Sequence, residues 1–462
     1  MKLRPSSCPL GSLARRQLLL AAPAVLTAGL PGLASAAPTG LDAELQALID
    51  DPARPLASLS VLMLREGRVV YEGQFGHRWI DPSGAGRHRP VTRDTLFRIA
   101  SISKLVVALG VMRLVEAGRL NLDADIGEIL GYRLRHPGHQ NVPLTVRLLL
   151  SHRSGLRDSA GSYVAPGQRL AEKLLPGAAL FGSGKSWSPA TQAPGQWFEY
   201  CNLNYGVLAG VMEKASGQRF DQLMAEQVLR PLGLSGGFEA SQFSEAELAN
   251  LATLYRKRAT DDAVRWNTAG PWIVQTDDFG GKRPAPPAGL DGYELGSNGS
   301  LFGPQGRMRT RVADLGVVLA MLADQGRHAG ASYLQPASVH ALMTEHWRSA
   351  GPAAPNGDDL GGEFQAWGLG LQHFIDRSVP DAKSSRLQGD RLMPRGGQQA
   401  WGHLGFAYGL MSGLMLDPAR RSGIVYAIGG TGADPEAHPG RYSSFPLWEE
   451  RLQGLLWTRL QG

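Results

Sequence analysis

Apolar positions along this chain cluster into segments whose lengths predict strands near both ends of the sequence and helices between them. Strands are predicted at 59–64 and 68–73, which Glu66-Gly67 joins as a hairpin, and at 408–416 and 423–428. Helices are predicted at 41–49, 101–118, 144–150, 204–216, 220–229 (stopped by Pro231), 312–325 and 445–460. We therefore expect an α+β fold with one antiparallel sheet built from both ends of the chain, flanked by helices, and an inserted, mainly helical lobe.

Two stretches of the chain lack this periodicity. Residues 157–196 are rich in Gly, Ser, Pro and Ala, and residues 245–300 are polar and mixed. Such composition is typical of turns and loops. We expect both stretches to shape the pocket of the protein.

The first 36 residues have the features of an export signal. They combine a positive start (Lys2, Arg4, Arg15 and Arg16), an apolar stretch at 18–33 and a small-residue cleavage site, Ala34-Ser35-Ala36. Arg15-Arg16-Gln17-Leu18-Leu19 resembles a twin-arginine signal, which addresses a bacterial protein for export in folded form, while an ordinary secretory signal is the alternative. We predict a periplasmic or secreted protein with no stable membrane anchor after cleavage, because the apolar stretch is short.

Charge and cysteine content exclude several other functions. Removal of the signal takes away four positive charges and lowers the formal net charge from +6 to +2, and no dense basic run remains, so we expect no nucleic-acid partner. Cys8 lies in the signal, which leaves Cys201 without a disulfide partner. His340 and His346 lack zinc spacing, and Gly182-Ser183-Gly184-Lys185-Ser186 is an incomplete phosphate loop. We expect no metal and no cofactor, and the sequence leaves the oligomeric state open.

Ser101-Ile102-Ser103-Lys104 carries the candidate chemistry. It opens an apolar helical run, and helix positions three apart share one face, so Ser101 and Lys104 meet while Ser103 points elsewhere. A serine hydroxyl needs a base to become a nucleophile, and a lysine whose pKa is lowered can be that base, whereas an arginine cannot. Only 8 of the 47 basic residues are Lys, so a Lys at this position is notable. The alternative is that Ser101 is a helix cap and Lys104 a residue whose amine reaches solvent.

Two further motifs follow at intervals of about one hundred and two hundred residues: Tyr200-Cys201-Asn202 and Trp401-Gly402-His403-Leu404-Gly405. The ordered set resembles the serine β-lactamase-related hydrolases, which include class C β-lactamases, DD-peptidases, D-aminopeptidases and carboxylesterases. Leu149–Leu156, Pro231–Leu234 and Trp367–Gly370 add lesser matches. The resemblance covers residues 45–440 as one hydrolase domain and leaves 441–462 as a C-terminal helix packing on the sheet.

The resemblance implies a role for each motif residue. Ser101 would attack a carbonyl and form an acyl-enzyme, and Lys104 and Tyr200 would share the work of the base, with the field of Lys104 lowering the pKa of Tyr200. Asn202 would orient Lys104 and the substrate. His403 and Gly405 would line the site from an edge strand, with Gly405 letting substrate approach the backbone. The N–H groups of Ser101 and Phe406 would form the oxyanion hole.

Departures from the family pattern narrow the expected substrates. The third motif has His403-Leu404-Gly405 where class C β-lactamases have Lys, Thr and Gly, which favours neutral esters or amides over β-lactams. We expect an exported serine hydrolase of the esterase or peptidase/amidase type that acts on a small ester, amide or peptide. The alternative is a penicillin-binding, DD-peptidase-like cell-wall protein or a weak class C-like β-lactamase. His403 could instead have a structural role, and Cys201 is an alternative nucleophile.

Overall fold

One antiparallel sheet organises the described part of the chain, which comprises residues 40–262, 264–381 and 386–462 of a computed structural model. The export signal predicted at 1–36 lies outside these residues. The sheet has nine strands in the order β11-β13-β14-β17-β18-β19-β1-β2-β3. The described strands are β1 (Ser58–Arg65), β2 (Arg68–Trp79), β3 (Arg89–Pro90), β4 (Leu96–Arg98), β5 (Phe198–Glu199), β6 (Leu254–Lys257), β7 (Trp272–Thr276), β8 (Arg309–Arg311), β9 (Arg327–His328), β10 (Ala331–Ser332), β11 (Trp347–Arg348), β12 (Gly357–Asp358), β13 (Ala366–Trp367), β14 (Gln372–Phe374), β15 (Val379–Pro380), β16 (Leu387–Gln388), β17 (Ala400–Ala407), β18 (Leu410–Asp417), β19 (Ser422–Ile428) and β20 (Gly430–Thr431).

The two ends of the chain meet at the centre of this sheet, as predicted. Strand β1 pairs with β2 on one side and, from Leu59 to Leu64, with β19 on the other. Residues 58–64 of β1 are buried throughout because helices cover both faces of the sheet, so the strand is a continuous apolar run rather than an alternating one.

Helices pack on both faces and fill the inserted lobe. They are α1 (Gly40–Ile49), α2 (Ile102–Glu116), α3 (Ile126–Leu130), α4 (Val146–Leu150), α5 (Leu170–Leu174), α6 (Leu203–Ser216), α7 (Phe220–Met224), α8 (Arg230–Leu232), α9 (Glu245–Ala249), α10 (Val312–Ala323), α11 (Pro336–Leu342) and α12 (Leu447–Gln461). Helices α2 and α10 share a core with one face of the sheet, and α1 and α12 share a second core with the other. The structure thus confirms the predicted fold class.

The helix predicted at 220–229 is longer than its pattern indicated. After α7 the backbone continues through a π-helical turn, Ala225–Leu229, into α8, and it ends at Gly233 with a φ of 66°. Pro231 was expected to stop the helix, but it lies inside α8. Pro231 cannot donate the i→i−4 hydrogen bond, but the carbonyl oxygen of Gln227 that would accept it instead accepts from the Tyr333 hydroxyl at 3.0 Å, and the widened π turn gives room for the ring, so the helix passes through this residue.

The two stretches without periodicity are only partly loops. The first contains α5, and the second contains α9, β6, β7 and a 3₁₀ turn at Gly299–Phe302. These elements are short and lie against other segments: β6, for instance, pairs with β20 from the end of the chain. Local sequence carries little signal for such pieces because tertiary contacts decide them.

We predict that Leu456→Ala lowers the free energy of unfolding by about 2–5 kcal/mol, since Leu456 is fully buried in the core beneath α12. Leu455→Ala, one position away and only partly buried, is the control and should cost clearly less. Urea denaturation followed by circular dichroism measures both. Equal losses would mean that α12 does not pack on the sheet as described.

Candidate active site

Ser101 and Lys104 meet at the start of α2. Ala100, with a φ of 43°, turns the chain sharply from β4 into the helix, so Ser101 sits at its N-terminus. Lys104 Nζ lies 2.9 Å from Ser101 Oγ and donates a hydrogen bond to the carbonyl oxygen of Gln305 at 2.8 Å. Ser103, by contrast, accepts from the N–H of Met308 and takes no part in this contact. The one-turn spacing therefore places these groups as the sequence predicts.

The amine of Lys104 is fully buried, and this decides its charge. Burial lowers the pKa of Lys104 to about 7, because the ammonium form loses its water; the negative charge of Asp158 opposes the shift. At neutral pH a large fraction of Lys104 is therefore an uncharged amine. Such an amine is able to accept a proton from the adjacent serine.

Tyr200 lies next to both Ser101 and Lys104. Its ring stacks between His152, at 4.5 Å between ring centroids, and Phe364, at 5.0 Å, and Lys104 Nζ lies 4.8 Å from its centroid. Burial raises the pKa of Tyr200 above its ordinary value, and a hydrogen bond with Ser101 only partly offsets this. We expected the field of Lys104 to lower this pKa. The effect of burial is larger, so Tyr200 stays a neutral phenol.

Asn202 contacts a residue that sequence reasoning missed. Its backbone N–H and its Nδ2 both donate to Asp158, at 2.7 and 2.9 Å, and the N–H of Leu203 adds a third bond at 2.9 Å. Asn202 was expected to orient Lys104, but its hydrogen bonds go to this carboxylate. Asp158 caps the start of α6 and affects Lys104 through its charge. It lies in a stretch that we took for a loop, with no spacing signal to mark it.

Cys201 and His152 are held behind the site. Burial raises the pKa of the Cys201 thiol well above its usual value, and its Sγ lies 3.5 Å from Asp158, so the thiol stays protonated and is a poor nucleophile. His152 is buried, has a φ of 55°, and accepts the N–H of Cys201 through Nδ1 at 3.0 Å. Burial and the neighbouring Lys104 keep the pKa of His152 well below its usual range. Its neutral ring therefore forms a fixed wall behind Tyr200.

Strand β17 brings the third motif to the same place. His403 is buried, and its Nδ1 donates to the carbonyl oxygen of Leu404 at 2.5 Å. Burial lowers the pKa of His403 to about 3, so the ring is neutral. Strand β14 pairs with β17 from Ala400 to Gly402, and among the described residues no strand pairs with that side from His403 onward, so the predicted edge is only the second half of the strand.

Gly405 also has a packing role that the sequence did not indicate. A Cβ at this position would lie 2.4 Å from Ser412 Oγ and 2.5 Å from the carbonyl oxygen of Ile99. The missing side chain thus lets β17 approach the turn into α2, and Phe406, the next residue, lines the same cavity as Ser101. The side chain of Phe406 is 55% exposed.

A cavity of about 1160 Å³ joins these groups. It is lined by Ser101, Tyr200, Asn202, His403, Gly405 and Phe406, with Lys104 buried behind Ser101. Glu363 and Glu449, which sequence reasoning also missed, line the same cavity. Burial raises the pKa of Glu363 to about 7 and that of Glu449 to about 8.

Other chemistries find no counterpart in the residues that the structure describes. Across 40–262, 264–381 and 386–462, His, Cys, Asp and Glu side chains form no group of three or more suited to a metal ion. Within the same residues no helix combines the length and apolar character needed to cross a membrane.

Comparison with known proteins places this geometry in a family. The family model described as Beta-lactamase matches residues 41–444. Esterase EstB of Burkholderia gladioli is 33% identical over 207 residues, which cover 42% of this chain and 50% of the esterase. A penicillin-binding protein of Bacillus subtilis (strain 168) is 29% identical over 184 residues, 38% of this chain and 36% of that protein. The chain thus spans half or less of the length of these curated relatives.

Solved structures show the same fold. The D-amino acid amidase from Ochrobactrum anthropi SV3, in its complex with L-phenylalanine amide, superposes with a TM-score of 0.60 at 19% sequence identity. The match covers 92% of this chain and 100% of the amidase. A likeness at this level of identity concerns the architecture.

We predict that Asp158→Asn lowers the free energy of unfolding by about 1–3 kcal/mol. Asp158 accepts hydrogen bonds from the N–H groups of Asn202 and Leu203, and the new amide would place an NH₂ group against one of these donors. Asp291→Asn is the control: Asp291 is exposed, and the change should stay within about 0.5 kcal/mol. Chemical denaturation measures both variants. If the two substitutions cost the same, Asp158 does not hold the start of α6.

Proposed function

The chain belongs to the beta-lactamase family, and from this premise we propose that it is an exported serine hydrolase that cleaves an ester or amide bond through an acyl-enzyme on Ser101. One observation carries the proposal: Lys104 Nζ lies 2.9 Å from Ser101 Oγ and is fully buried. A buried amine of lowered pKa beside a hydroxyl is the arrangement that activates a serine. The similarity to esterase EstB supports an ester as substrate.

The proposed reaction has two halves. Neutral Lys104 takes the proton of Ser101 as the serine oxygen bonds to the substrate carbonyl carbon. The N–H groups of Ser101 and Phe406 stabilise the oxyanion, the C–O or C–N bond breaks, and the departing alcohol or amine receives the proton from Lys104. Water then attacks the acyl carbon and gives a proton to Lys104. The bond between this carbon and Ser101 Oγ breaks, the acid leaves, and Lys104 returns the proton to Ser101 Oγ. Tyr200 stays protonated and holds the serine hydroxyl in place.

The third motif, at His403-Leu404-Gly405, carries no positive charge, and this affects which substrates the site favours. His403 is buried and neutral, and Leu404 and Phe406 are apolar, so this strand offers no cation for the carboxylate of a β-lactam. This supports neutral ester or amide groups at the scissile bond. The site residues Asn202, His403, Gly405 and Phe406 would line the bound substrate.

A second candidate function rests on a different observation. Arg98, Arg256 and Arg307 also line the cavity, and their guanidinium groups would attract a substrate carboxylate. Arg98 is already paired with Asp277 through two hydrogen bonds at 3.0 and 2.9 Å. The presence of these arginines, together with the similarity to a penicillin-binding protein, favours a DD-peptidase-like cell-wall protein or weak β-lactamase as the alternative.

Export is proposed from the sequence of residues 1–36 and implies a periplasmic or secreted enzyme. Its substrate would be a small ester, amide or peptide found outside the cytoplasm. The proposal includes neither a nucleic-acid partner nor a membrane anchor in the mature protein.

We predict that Ser101→Ala lowers kcat/KM for p-nitrophenyl butyrate by about 10³-fold or more, because it removes the nucleophile. Ser103→Ala is the matched control, since Ser103 lies two residues away on another face of α2 and should leave hydrolysis nearly intact. Full activity in Ser101→Ala would rule out the acyl-enzyme on Ser101. A chromogenic cephalosporin assayed alongside, if turned over faster or trapped as a stable adduct, would favour the second candidate.

We predict that kcat/KM for the same ester rises about tenfold per pH unit below pH 7 and levels off above it. Below this pKa Lys104 is protonated and cannot take the serine proton; above it the amine is free. Lys104→Arg should be inactive at every pH, because arginine stays protonated.

Two control variants show which residue causes the rise of kcat/KM with pH, which we call the pH limb. Glu363 and Glu449 titrate in the same range, with pKa values of about 7 and about 8, so the profile is repeated in Glu363→Gln and in Glu449→Gln. A limb that persists in both variants belongs to Lys104. A limb that vanishes with either glutamate, or a flat profile, would contradict the role of Lys104 as base.

A further inference from the structure

Basic and acidic groups contribute to the cavity at different places along strand β17. Just after the strand ends at Ala407, Arg98 lies over the ring of Tyr408, with 5.6 Å between the guanidinium carbon and the ring centroid. Arg256 packs beside Gly409, where a Cβ would lie 2.9 Å from its Cγ. At the other end, next to His403 and Leu404, the cavity contains acids.

We call Glu363, Gln372 and Glu449 the acidic end of the cavity. Gln372 pairs with Gly402 at the last position where β14 covers β17. Glu449, on α12, accepts a hydrogen bond from Tyr426 at 2.7 Å, and Tyr426 lies in the core that contains Leu404. The charge of Glu363 raises the pKa of both Tyr200 and Glu449, so Glu363 is within electrostatic reach of each. The acidic end therefore belongs to the same cavity as Ser101 and lies near the part of β17 that β14 leaves unpaired.

This end of the cavity presents hydrogen-bond acceptors without donors. The carboxylate of Glu363 has no hydrogen bond and no ion pair with any described residue. Gln372 is 1% exposed and donates from Nε2 to the carbonyl of Glu363 at 2.7 Å, which fixes its orientation, and its Oε1 has no partner in the described part of the chain. On the side of Ser101, the proton on Nδ1 of His403 leaves Nε2 as another acceptor that no described group contacts.

Gln372 Oε1 and His403 Nε2 are buried acceptors without donors, which is unfavourable unless a ligand supplies the donors, and the half-buried carboxylate of Glu363 is open to the same ligand. An ammonium group carries three N–H donors and a positive charge, which complement carboxylate and amide oxygens. Burial raises the pKa of Glu363 to about 7 with no cation acting against the shift, as expected of a carboxyl group that lacks its counter-ion.

We propose that the acidic end binds a positively charged amino group of the substrate, so that the enzyme acts on esters or amides that carry an ammonium group away from the scissile carbonyl. This inference rests on the proposed hydrolysis at Ser101 and adds the substrate class. Glu363 is the main determinant of specificity, Glu449 supplies a second carboxyl group, and Gln372 accepts one N–H.

The test uses substrate pairs that differ only in the charged group. p-Nitrophenyl 6-aminohexanoate is compared with p-nitrophenyl heptanoate, and p-nitrophenyl 3-aminopropanoate with p-nitrophenyl butyrate, so that –NH₃⁺ replaces –CH₃ at equal length. The expected result is a kcat/KM about tenfold or more higher for the amino ester in at least one pair, mainly through a lower KM. No preference in either pair, with the neutral esters turned over, would overturn the inference and leave the proposed function standing.

Variants locate the effect. Glu363→Gln keeps the size of the side chain and removes its charge, and should reduce the ratio between amino and neutral ester to near one. Glu436→Gln is the matched control, because Glu436 also lines the cavity but is exposed and lies outside the acidic end. An unchanged ratio in Glu363→Gln, or an equal loss in Glu436→Gln, would show that the acidic end is not the subsite.

Failure of the proposed function has a different signature. In that case Ser101→Ala would not reduce the hydrolysis of either the amino or the neutral ester. Both the proposed function and this inference would then be wrong. If Glu363→Gln does not fold, Glu449→Gln and the wild-type substrate pairs decide the question, since a preference for the ammonium group must already be present in the unaltered protein.

Discussion

The chemistry proposed for this protein depends on keeping the amine of Lys104 away from water. An exposed lysine would be charged at neutral pH and useless as a base, whereas burial at the apolar start of α2 lowers the pKa of Lys104 to about 7. The same burial affects the neighbours: His152 and His403 stay neutral and Tyr200 stays a phenol. One dry environment thus sets four protonation states. The negative charge of Asp158 limits how far the amine is destabilised.

The sheet serves this environment by bringing distant segments together with little freedom. Gly405 approaches the carbonyl of Ile99 so closely that no side chain fits between them, and Ser412 donates a hydrogen bond to the same carbonyl at 3.1 Å. The turn into α2 is therefore fixed against β17. A site that must place an oxyanion between two backbone N–H groups needs such rigid contacts, because small displacements weaken the stabilisation of charge.

Sequence alone predicted the sheet, its main helices and the three motifs, because those depend on local periodicity and on short, ordered patterns. It missed Asp158, Glu363 and Glu449, which gain their roles from partners far away along the chain: Asp158 binds Asn202, 44 positions later. It also predicted the wrong direction for the pKa of Tyr200, since burial is a property of the folded protein. The course of the chain through Pro231 was missed because it depends on a π turn that propensity does not indicate.

The pairing of β1 with β19 has a consequence for how the protein is made. The central contact of the sheet joins residues near 60 with residues near 425, so loop closure over most of the chain must come before the sheet is complete. A growing chain on the ribosome lacks β17, β19 and α12 until the residues after 400 have been synthesised, and the cavity is walled by residues of β17 and α12. The proposed active site therefore cannot form until the segments after residue 400 are available, and a chain truncated before α12 would keep all its strands but lose one wall of the pocket.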